Sequence, residues 1–307
     1  MGTPDFAVNS LEKIVGSKHD IIAVYTQPDR KKGRGQRLLP SPVKEAALKH
    51  NIDVFQPSSL RKKEEVEAFK NLKPDLCVVV AYGQILSQEV LDIPKYGCVN
   101  LHGSMLPLYR GAAPIQWSVI NGDSKTGVTS MFMSKGLDEG DIILQKEILL
   151  DNDINSIELF EKMAPIGADL LLETIALIDN KNVKRIAQNS TGITPTFAPL
   201  LDKEIALIDF KKSALEIHNL IRGLIVWPVA YTKLNEVNLK IYKSKIVDYN
   251  DQNNCEIGEL VDGKKFIVKC GNNSYIEFLT VQLSGKKQVS GTDFINGRRL
   301  TIHDKIY

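Results

Sequence analysis

The sequence predicts an α/β protein in two parts, with a doubly wound parallel sheet followed by a small antiparallel β-barrel. Continuous apolar runs such as Ile21–Tyr25 and Leu76–Ala81 alternate with helical segments in the first part of the chain, which is typical of parallel strands buried on both faces. Short alternating runs at regular spacing, between Val229–Thr232 and Ile276–Leu279, replace this pattern in the last third. Such runs favour a barrel.

Length and composition indicate a soluble protein of two domains. The chain has 307 residues, which is long for one domain. Residues 181–199 lose apolar periodicity and collect Asn, Ser, Thr and Pro, as linkers do. We expect a first domain at 1–184, a linker at 185–202 and a second domain at 203–307. No apolar run approaches the roughly 20 residues of a membrane span, so we expect a cytoplasmic protein without membrane contacts, and a monomer.

Cysteine and histidine spacing predicts no metal site. The four cysteines, Cys77, Cys98, Cys255 and Cys270, contain no C-x-x-C pair, and we expect reduced, structural thiols. The sequence also lacks H-x-x-x-H, G-x-x-x-x-G-K-[ST] and G-x-G-x-x-G patterns. Nucleotide hydrolysis and hydride transfer therefore lose support.

Local signals define the helices and strands in order. Pro4 suits the first position of a helix and Asp5 its positive first turn, and Gly16 closes it. Further helices are predicted at 43–50, 60–72, 115–120, 156–178 (with a kink or break at Pro165) and 213–224. Strands are predicted at 21–25, 54–55, 76–81, 98–99, 126–133, 229–232, 239–242, 258–261, 266–269 and 276–279.

A long basic segment follows the strand at 21–25. Residues 27–44 contain six basic side chains and one acidic side chain, Asp29. Its prolines and glycines predict neither helix nor sheet. A solvated loop is one interpretation. Because most connections span about 4–6 residues, a long loop with concentrated charge is usually functional, and basic groups suit a phosphate backbone. Residues 200–307 are mildly basic too, with 16 basic against 13 acidic side chains.

The candidate site begins where a buried strand ends in polar residues. Asn100 and His102 follow the apolar pair Cys98–Val99, and on an extended backbone their side chains leave the same face. A loop punctuated by Gly and Pro then runs to Pro114, and α/β proteins build sites at such carboxyl ends. The alternative is a core histidine that bonds a backbone carbonyl.

An acidic turn supplies a carboxylate downstream. The strand at 126–133 leads into Gly136–Asp141, where Asp138 and Asp141 are either turn formers or catalytic groups. Asn, His and Asp without a credible Ser or Cys nucleophile suit direct transfer of an acyl group to an external amine.

The run NLHGSMLPLYRGAAPI, at residues 100–115, resembles the signature of the 10-formyltetrahydrofolate-dependent formyltransferases. Their Ser-Leu-Leu-Pro folate motif stands here as Ser104-Met105-Leu106-Pro107, and exchange of Leu for Met conserves volume. The resemblance extends to Gly-Thr-Pro-Asp-Phe at residues 2–6 and to the basic ending at 285–299. It implies a Rossmann-like first domain and an OB-type, tRNA-binding second domain. Family members have an apolar strand before the Gly-Thr-Pro-Asp-Phe motif, so we expect a gap at the position of this first strand, and lowered stability.

The resemblance also implies roles for individual residues. The catalytic residues would be Asn100, His102 and Asp138, with Asp141 as the competitor of Asp138. Formyltetrahydrofolate would contact Ser104, Met105, Leu106, Pro107, Tyr82, Gly83, Ile85 and Leu86, although a plain strand-to-helix turn at 82–86 is the alternative. The acceptor end of tRNA would contact Arg30, Lys31, Lys32, Arg34 and Arg37, with Arg34 at the position of the family's key arginine.

The implied reaction is transfer of a formyl group from 10-formyltetrahydrofolate, as co-substrate and without a metal, to the amino group of initiator methionyl-tRNA. Asn100 and His102 would donate hydrogen bonds to the oxyanion, and Asp138 would pair with His102 and help a water move the amine proton. The alternatives are a formyltransferase that acts on a small amine, and a tRNA-binding module without catalysis. Both formyltransferase functions need Asn100, His102 and Asp138 together, whereas the tRNA-binding module does not.

Overall fold

The computed structural model of the chain describes residues 1–32 and 37–307, without the side chains of Lys32 and Arg37. The chain divides into two compact units. One unit comprises residues 1–114, 125–149 and 160–198, and the other comprises residues 115–124, 150–159 and 199–307. The domain boundaries expected from the sequence stay a prediction.

Helices and strands alternate in the first unit, and strands dominate the second. The helices are α1 Asp5–Val15, α2 Pro42–Lys49, α3 Lys63–Asn71, α4 Gln88–Leu91, α5 Pro114–Ile120, α6 Ser156–Asp179, α7 Ala214–Gly223 and α8 Gly291–Arg298. The strands are β1 Val24–Tyr25, β2 Arg30–Lys32, β3 Arg37–Leu39, β4 Val54–Phe55, β5 Cys77–Val79, β6 Cys98–His102, β7 Arg110–Gly111, β8 Lys125–Phe132, β9 Ile142–Leu149, β10 Phe197–Ala198, β11 Tyr231–Leu234, β12 Val237–Val247, β13 Ile267–Cys270, β14 Ser274–Leu283 and β15 Val289–Ser290.

The main sheet of the first unit has the order β5-β6-β8-β9. Strands β5 and β6 are parallel, and β8 and β9 continue the sheet in antiparallel pairing. Residues 133–141 join β8 to β9 without a helix, which suits the antiparallel pairing of these two strands. The Rossmann-like class predicted for this unit is confirmed, with two antiparallel strands added to its parallel part.

Met1 and Gly2 lie at the position where the resemblance places a first strand. Strands β1 and β4 form a separate parallel pair, and Met1 and Gly2 connect this pair to β5. Gly2 N donates to Tyr25 O at 2.9 Å, and Val80 N donates to Met1 O at 2.9 Å. A cavity of about 570 Å³ lies beside these two residues and is lined by residues of both strand edges, including Val24 and Val78. The facing edges of β1 and β5 border this cavity, and the lowered stability expected from the sequence stays a prediction.

One local prediction for the first unit is wrong, and a second is narrowed. The basic segment contains a short antiparallel ladder, in which β2 pairs with β3 from Arg30–Leu39 to Lys32–Arg37. The ladder forms because Pro28 and Pro40 lie outside the paired residues, so no proline must donate to it. Helix α6 is continuous through Pro165, so the helix does not break there, and a kink at this proline stays a prediction.

The second unit contains a curled antiparallel sheet with α7 and α8 packed against it, which fits the predicted OB-like class. Its order is β11-β12-β14-β13, with β15 beside β14, and irregular pairing near Lys243 lets β12 curve. The core is formed by α7, α8 and the inner faces of the strands, around Phe266 and Phe278. The prediction of a strand at 258–261 is wrong. Gly258 has φ +84°, outside the strand region, and Glu259 and Leu260 form only isolated bridges.

The helices given above all lie within residues 1–32 and 37–307. In this part of the chain, none combines sufficient length with sufficient apolar character to cross a bilayer.

Candidate active site

His102 lies at the carboxyl end of β6 and faces the turn that holds Asp138. Its Nδ1 is 3.7 Å from Asp138 Oδ2, and its Nε2 is 2.8 Å from the carbonyl oxygen of Tyr109. A carbonyl only accepts, so Nε2 carries the proton that His102 donates to Tyr109. The imidazole is 5% exposed. His102 therefore has both features considered from the sequence: it is a buried histidine bonded to a carbonyl, and it faces a carboxylate.

The backbone and two neighbouring segments hold Asp138 in place. Asp138 has φ +48°, a left-handed conformation that Asp tolerates better than most residues. Its Oδ2 accepts the backbone N–H of Gly111 at 2.9 Å. Its carbonyl accepts Nε2 of Gln188 at 2.8 Å. Asp138 is thus fixed through both its side chain and its main chain before any substrate binds.

Asn100 precedes His102 by two residues on β6 and shares its face of the sheet. It lies between Val79 of β5 and Met131 of β8 in the ladder, and it is partly buried. Among the residues that the structure describes, no hydrogen bond of its side-chain amide is found. Asn100 therefore offers an uncommitted N–H donor next to His102.

Asp141 does not share the position of Asp138. Its backbone carbonyl accepts Phe132 N at 2.9 Å, and its carboxylate makes no hydrogen bond or ion pair within the described ranges. The geometry favours Asp138 over Asp141 as the partner of His102.

The loop at 104–107, predicted to contact the folate, is tied to β8 and β9. Ser104 Oγ donates to Leu108 O at 2.6 Å, and Thr129 Oγ1 donates to Ser104 O at 2.6 Å. Leu106 and Pro107 are buried, and Met105 packs against the backbone of Gly127, where a side chain would not fit. The motif therefore shapes this loop, and its contacts with folate stay a prediction.

The turn at 82–86 combines core and surface residues. Tyr82 and Leu86 are buried in the core that contains Tyr25, and burial raises the pKa of Tyr82. Ile85 is 73% exposed, and Gly83 has φ +82°. Of the four residues predicted to contact folate here, only Ile85 offers an open side chain, so a ligand would meet the others mainly through their backbone.

The basic segment is connected to this turn. Arg30 Nη2 donates to Gln27 Oε1, and Gln27 Nε2 donates to Gly83 O at 2.7 Å. A cavity of about 420 Å³ is lined by residues of both segments, including Arg30 and Tyr82. Predicted RNA-binding and predicted folate-binding residues thus border one cavity.

Asp29 attaches the segment to the body of the first unit. Its carboxylate accepts Lys44 Nζ at 2.8 Å and Gln56 Nε2 at 2.7 Å. These two bonds, Gln56 first, hold the pKa of Asp29 below its usual value. Lys31 is exposed, and Lys32 and Arg37 are paired through their backbones. Arg34, the expected key arginine, lies outside the described residues.

Gln188 is a structural residue of the site that sequence reasoning missed. It is 3% exposed, and its Oε1 accepts Nε and Nη2 of Arg110 at 2.9 and 2.7 Å. Its Nε2 donates to Asp138 O and Gly140 O. Gln188 lies in residues 181–199, where loss of periodicity predicts a linker, and no local pattern marks a buried glutamine there.

Gly111 is a second residue of the site whose role the sequence does not predict. Its N–H reaches Asp138, and β7 pairs with β10 through Gly111 and Ala198. A two-residue strand inside a Gly/Pro loop has no periodicity, so its pairing with residues 86 or more positions away is invisible in the sequence.

Comparisons with known proteins agree along the whole chain. Residues 1–175 match the family model described as formyl transferase, and residues 200–299 match the formyl transferase C-terminal domain. The chain is 46% identical over 301 residues to a methionyl-tRNA formyltransferase of Clostridioides difficile (strain 630), covering 98% of this chain and 96% of that protein. It is 43% identical over 309 residues to one of Ruminiclostridium cellulolyticum, covering 100% and 98%.

Solved structures share the fold. A sugar 3N-formyl transferase determined with dTDP and 5-N-formyl-THF has a TM-score of 0.67 at 24% identity, covering 93% of this chain and 97% of that chain. An N-formyltransferase from Helicobacter canadensis, in complex with folinic acid and dTDP-3-aminofucose, has a TM-score of 0.67 at 23% identity, covering 90% and 96%. At this level of identity the likeness concerns the fold alone.

Proposed function

Because the chain belongs to the formyl transferase family, we propose that it transfers a formyl group from 10-formyltetrahydrofolate to the amino group of initiator methionyl-tRNA. The observation that supports this proposal best is the His102–Asp138 pair, 3.7 Å apart, in a chain whose relatives of 43–46% identity and nearly equal length are methionyl-tRNA formyltransferases. The alternative of a tRNA-binding module without catalysis does not explain why the site residues are so placed.

In this proposal, Asn100 is the preformed donor for the oxyanion that develops when the amine attacks the formyl carbon. Its amide is uncommitted and shares a strand face with His102. One such donor typically lowers the barrier by about 3–4 kcal/mol. The Nε2–H of His102 is bonded to Tyr109 O, so His102 contributes only when it exchanges this carbonyl for the oxygen of the substrate.

Asp138 faces the imidazole and takes part in proton transfer. Its carboxylate lies on the Nδ1 side of His102, where it helps a water carry the proton of the attacking amine toward the folate nitrogen as the C–N bond breaks. The formyl carbon changes partners without oxidation, so the residues need to supply only hydrogen bonds and proton transfer. The family's co-substrate is formyltetrahydrofolate, and no metal is indicated for the reaction.

The basic segment and the turn at 82–86 would bring the two substrates together. The hydrogen bonds from Arg30 through Gln27 to Gly83 connect a surface suited to phosphates with the backbone proposed to face the folate. The RNA-binding set comprises Arg30, Lys31, Lys32, Arg34 and Arg37, whose positive charge favours a polyanion through release of counterions. We also propose that the reaction takes place in the cytoplasm, where translation begins. We infer that the protein is a monomer, and light scattering after gel filtration measures its mass in solution.

The decisive experiment compares acceptors. The purified full chain is incubated with 10-formyltetrahydrofolate and, in parallel, with initiator methionyl-tRNA, elongator methionyl-tRNA, free methionine or a dTDP-amino sugar. We expect rapid formylation of initiator methionyl-tRNA alone. Preference for a small amine would replace the proposed acceptor, and binding of tRNA without formylation of any amine would support the non-catalytic alternative.

A further inference from the structure

The second unit contains a group of three side chains that could bind a metal, independent of formyl transfer. Cys255, Glu259 and His303 each offer one ligand atom, and these atoms all lie within 4.8 Å of one another. Cys255 and Glu259 are buried, at 3% and 6% exposure. His303 is open to solvent, with its side chain 53% exposed. The group thus has a shielded side and an accessible side from which an ion can enter.

The backbone around this group is already ordered. His303 N donates to Leu260 O at 3.0 Å, and Leu260 N donates to Asp304 O at 2.9 Å. The imidazole Nδ1 is 2.9 Å from Glu259 Oε2. The segments that contain the three side chains are therefore held together before any ion binds, with the imidazole within 4.8 Å of the thiol.

A fourth group lies nearby. The carboxylate of Asp251 accepts Cys255 N at 2.9 Å and Lys269 Nζ at 3.2 Å, and its side chain is 3% exposed. Bound metals are typically surrounded by carboxylates that accept hydrogen bonds from the segment carrying a metal ligand. Asp251 supports the position of Cys255 in this way.

We propose that Cys255, Glu259 and His303 form a Zn²⁺ site in which water completes four-coordination. Thiolate with imidazole and carboxylate suits zinc and not Mg²⁺ or Ca²⁺, which prefer oxygen ligands alone. Bonds of about 2.0–2.3 Å in a tetrahedral site place ligand atoms roughly 3.4–3.6 Å apart. Separations of at most 4.8 Å need only small movements to reach this geometry.

The role of such an ion would be structural. It would connect the loop at 251–260 to the C-terminal residues 301–307, which otherwise meet through main-chain bonds such as Ile306 N to Gly258 O. Sequence spacing predicts no metal here, because the ligands are separated by three and then forty-three residues and match no short motif. The site appears only when the loop at 251–260 packs against residues 301–307.

Cobalt is the probe for this proposal, because a thiolate ligand gives Co²⁺ a near-ultraviolet charge-transfer band. The full chain, kept reduced by a phosphine, is titrated with Co²⁺ and then with Zn²⁺. We expect a 1:1 complex with this band, which Zn²⁺ abolishes, and a higher melting temperature with Zn²⁺. Cys255→Ser should remove the band, and His303→Gln should weaken binding more than about tenfold. His19→Gln, a histidine substitution in the first unit, should change neither.

Two results would overturn the site. One is the absence of a 1:1 cobalt complex at micromolar protein with metal in excess. The other is a band of unchanged intensity and midpoint in both Cys255→Ser and His303→Gln. If Cys255→Ser does not fold by circular dichroism, His303→Gln decides alone, because its imidazole is exposed and the change leaves the core intact.

Discussion

The carboxylate of Asp138 lies 3.7 Å from His102 Nδ1 and accepts the backbone N–H of Gly111 with the same oxygen, Oδ2, at 2.9 Å. One oxygen therefore faces the imidazole while a main-chain donor fixes its direction. A carboxylate held in this way can accept a hydrogen bond during the reaction at little cost in reorganisation.

Asp138→Asn should lower the rate of formyl transfer by about 10²–10⁴-fold, the usual contribution of a general acid–base group. The amide keeps the size of the side chain but loses the charge. The measurement is single-turnover formylation of methionyl-tRNA, with the melting temperature as the test of folding. Asp141→Asn is the matched control and should stay near the wild-type rate. Equal losses in both variants would remove Asp138 from its proposed role.

Gln188→Ala should lower turnover by about tenfold to a hundredfold, because small misplacements of catalytic groups have effects of this size. The variant loses the bonds to Asp138 O, Gly140 O and Arg110. It should also lower the free energy of unfolding by about 1–3 kcal/mol, since buried polar groups are left without partners. Asn189→Ala, at an exposed neighbour, is the control. Full activity in a destabilised Gln188→Ala protein would limit Gln188 to stability.

Gly111→Ala should impair both stability and activity. Gly111 has φ +123°, and an added Cβ would lie 2.7 Å from Ala198 O. Strain of this kind costs about 1–3 kcal/mol, and moving Gly111 would withdraw its N–H from Asp138. Gly297→Ala is the counterpart in α8, where a Cβ meets nothing within 4 Å, and it should gain about 0.5–1 kcal/mol. Denaturant unfolding of both variants checks the contrast, and a stable, active Gly111→Ala protein would contradict it.

The success of sequence reasoning depended on how local the signal was. Asn100 and His102 can be predicted from the local sequence, because they end a strand in polar residues. Their two-residue spacing places them on one face of the strand whatever the rest of the fold is. Asp138 lies 36 residues after His102, and its place beside the imidazole rested on a resemblance, because no local rule separates it from Asp141. Gln188 and the β7–β10 pairing depend on long-range contacts that leave no periodic pattern. The number of prolines in the basic segment predicts no strand. The position of Pro28 and Pro40, outside the paired residues, is what allows the ladder to form.

Asp29→Asn should make the free energy of unfolding decrease less steeply as the pH falls. Bonds from Gln56 and Lys44 hold the pKa of Asp29 below its ordinary value of 3.8 in the folded protein. Its carboxylate therefore stabilises the fold fully above the unfolded pKa, and this contribution is lost as pH falls through the lower, folded value. Its side chain is 23% exposed, so we expect an effect on the order of 1 kcal/mol. Unfolding between pH 6 and pH 3 measures it, with Asp248→Asn as an exposed control. Parallel profiles of wild type and Asp29→Asn would contradict the assignment.

Lys31→Ala should weaken binding of tRNA and reduce its dependence on salt. Lys31 is exposed on β2 and pairs through its backbone with Leu38, so truncation removes a charge without disturbing the ladder. Each phosphate neutralised contributes roughly 0.7–0.9 to the slope of log K against log salt concentration, through release of counterions. The slope should fall by about this amount while single-turnover formylation at saturating tRNA is retained. Lys146→Ala, at an exposed lysine of β9, should leave the slope unchanged. An equal decrease in both variants would indicate a general effect of net charge, and the basic segment would then lose its special place in RNA binding.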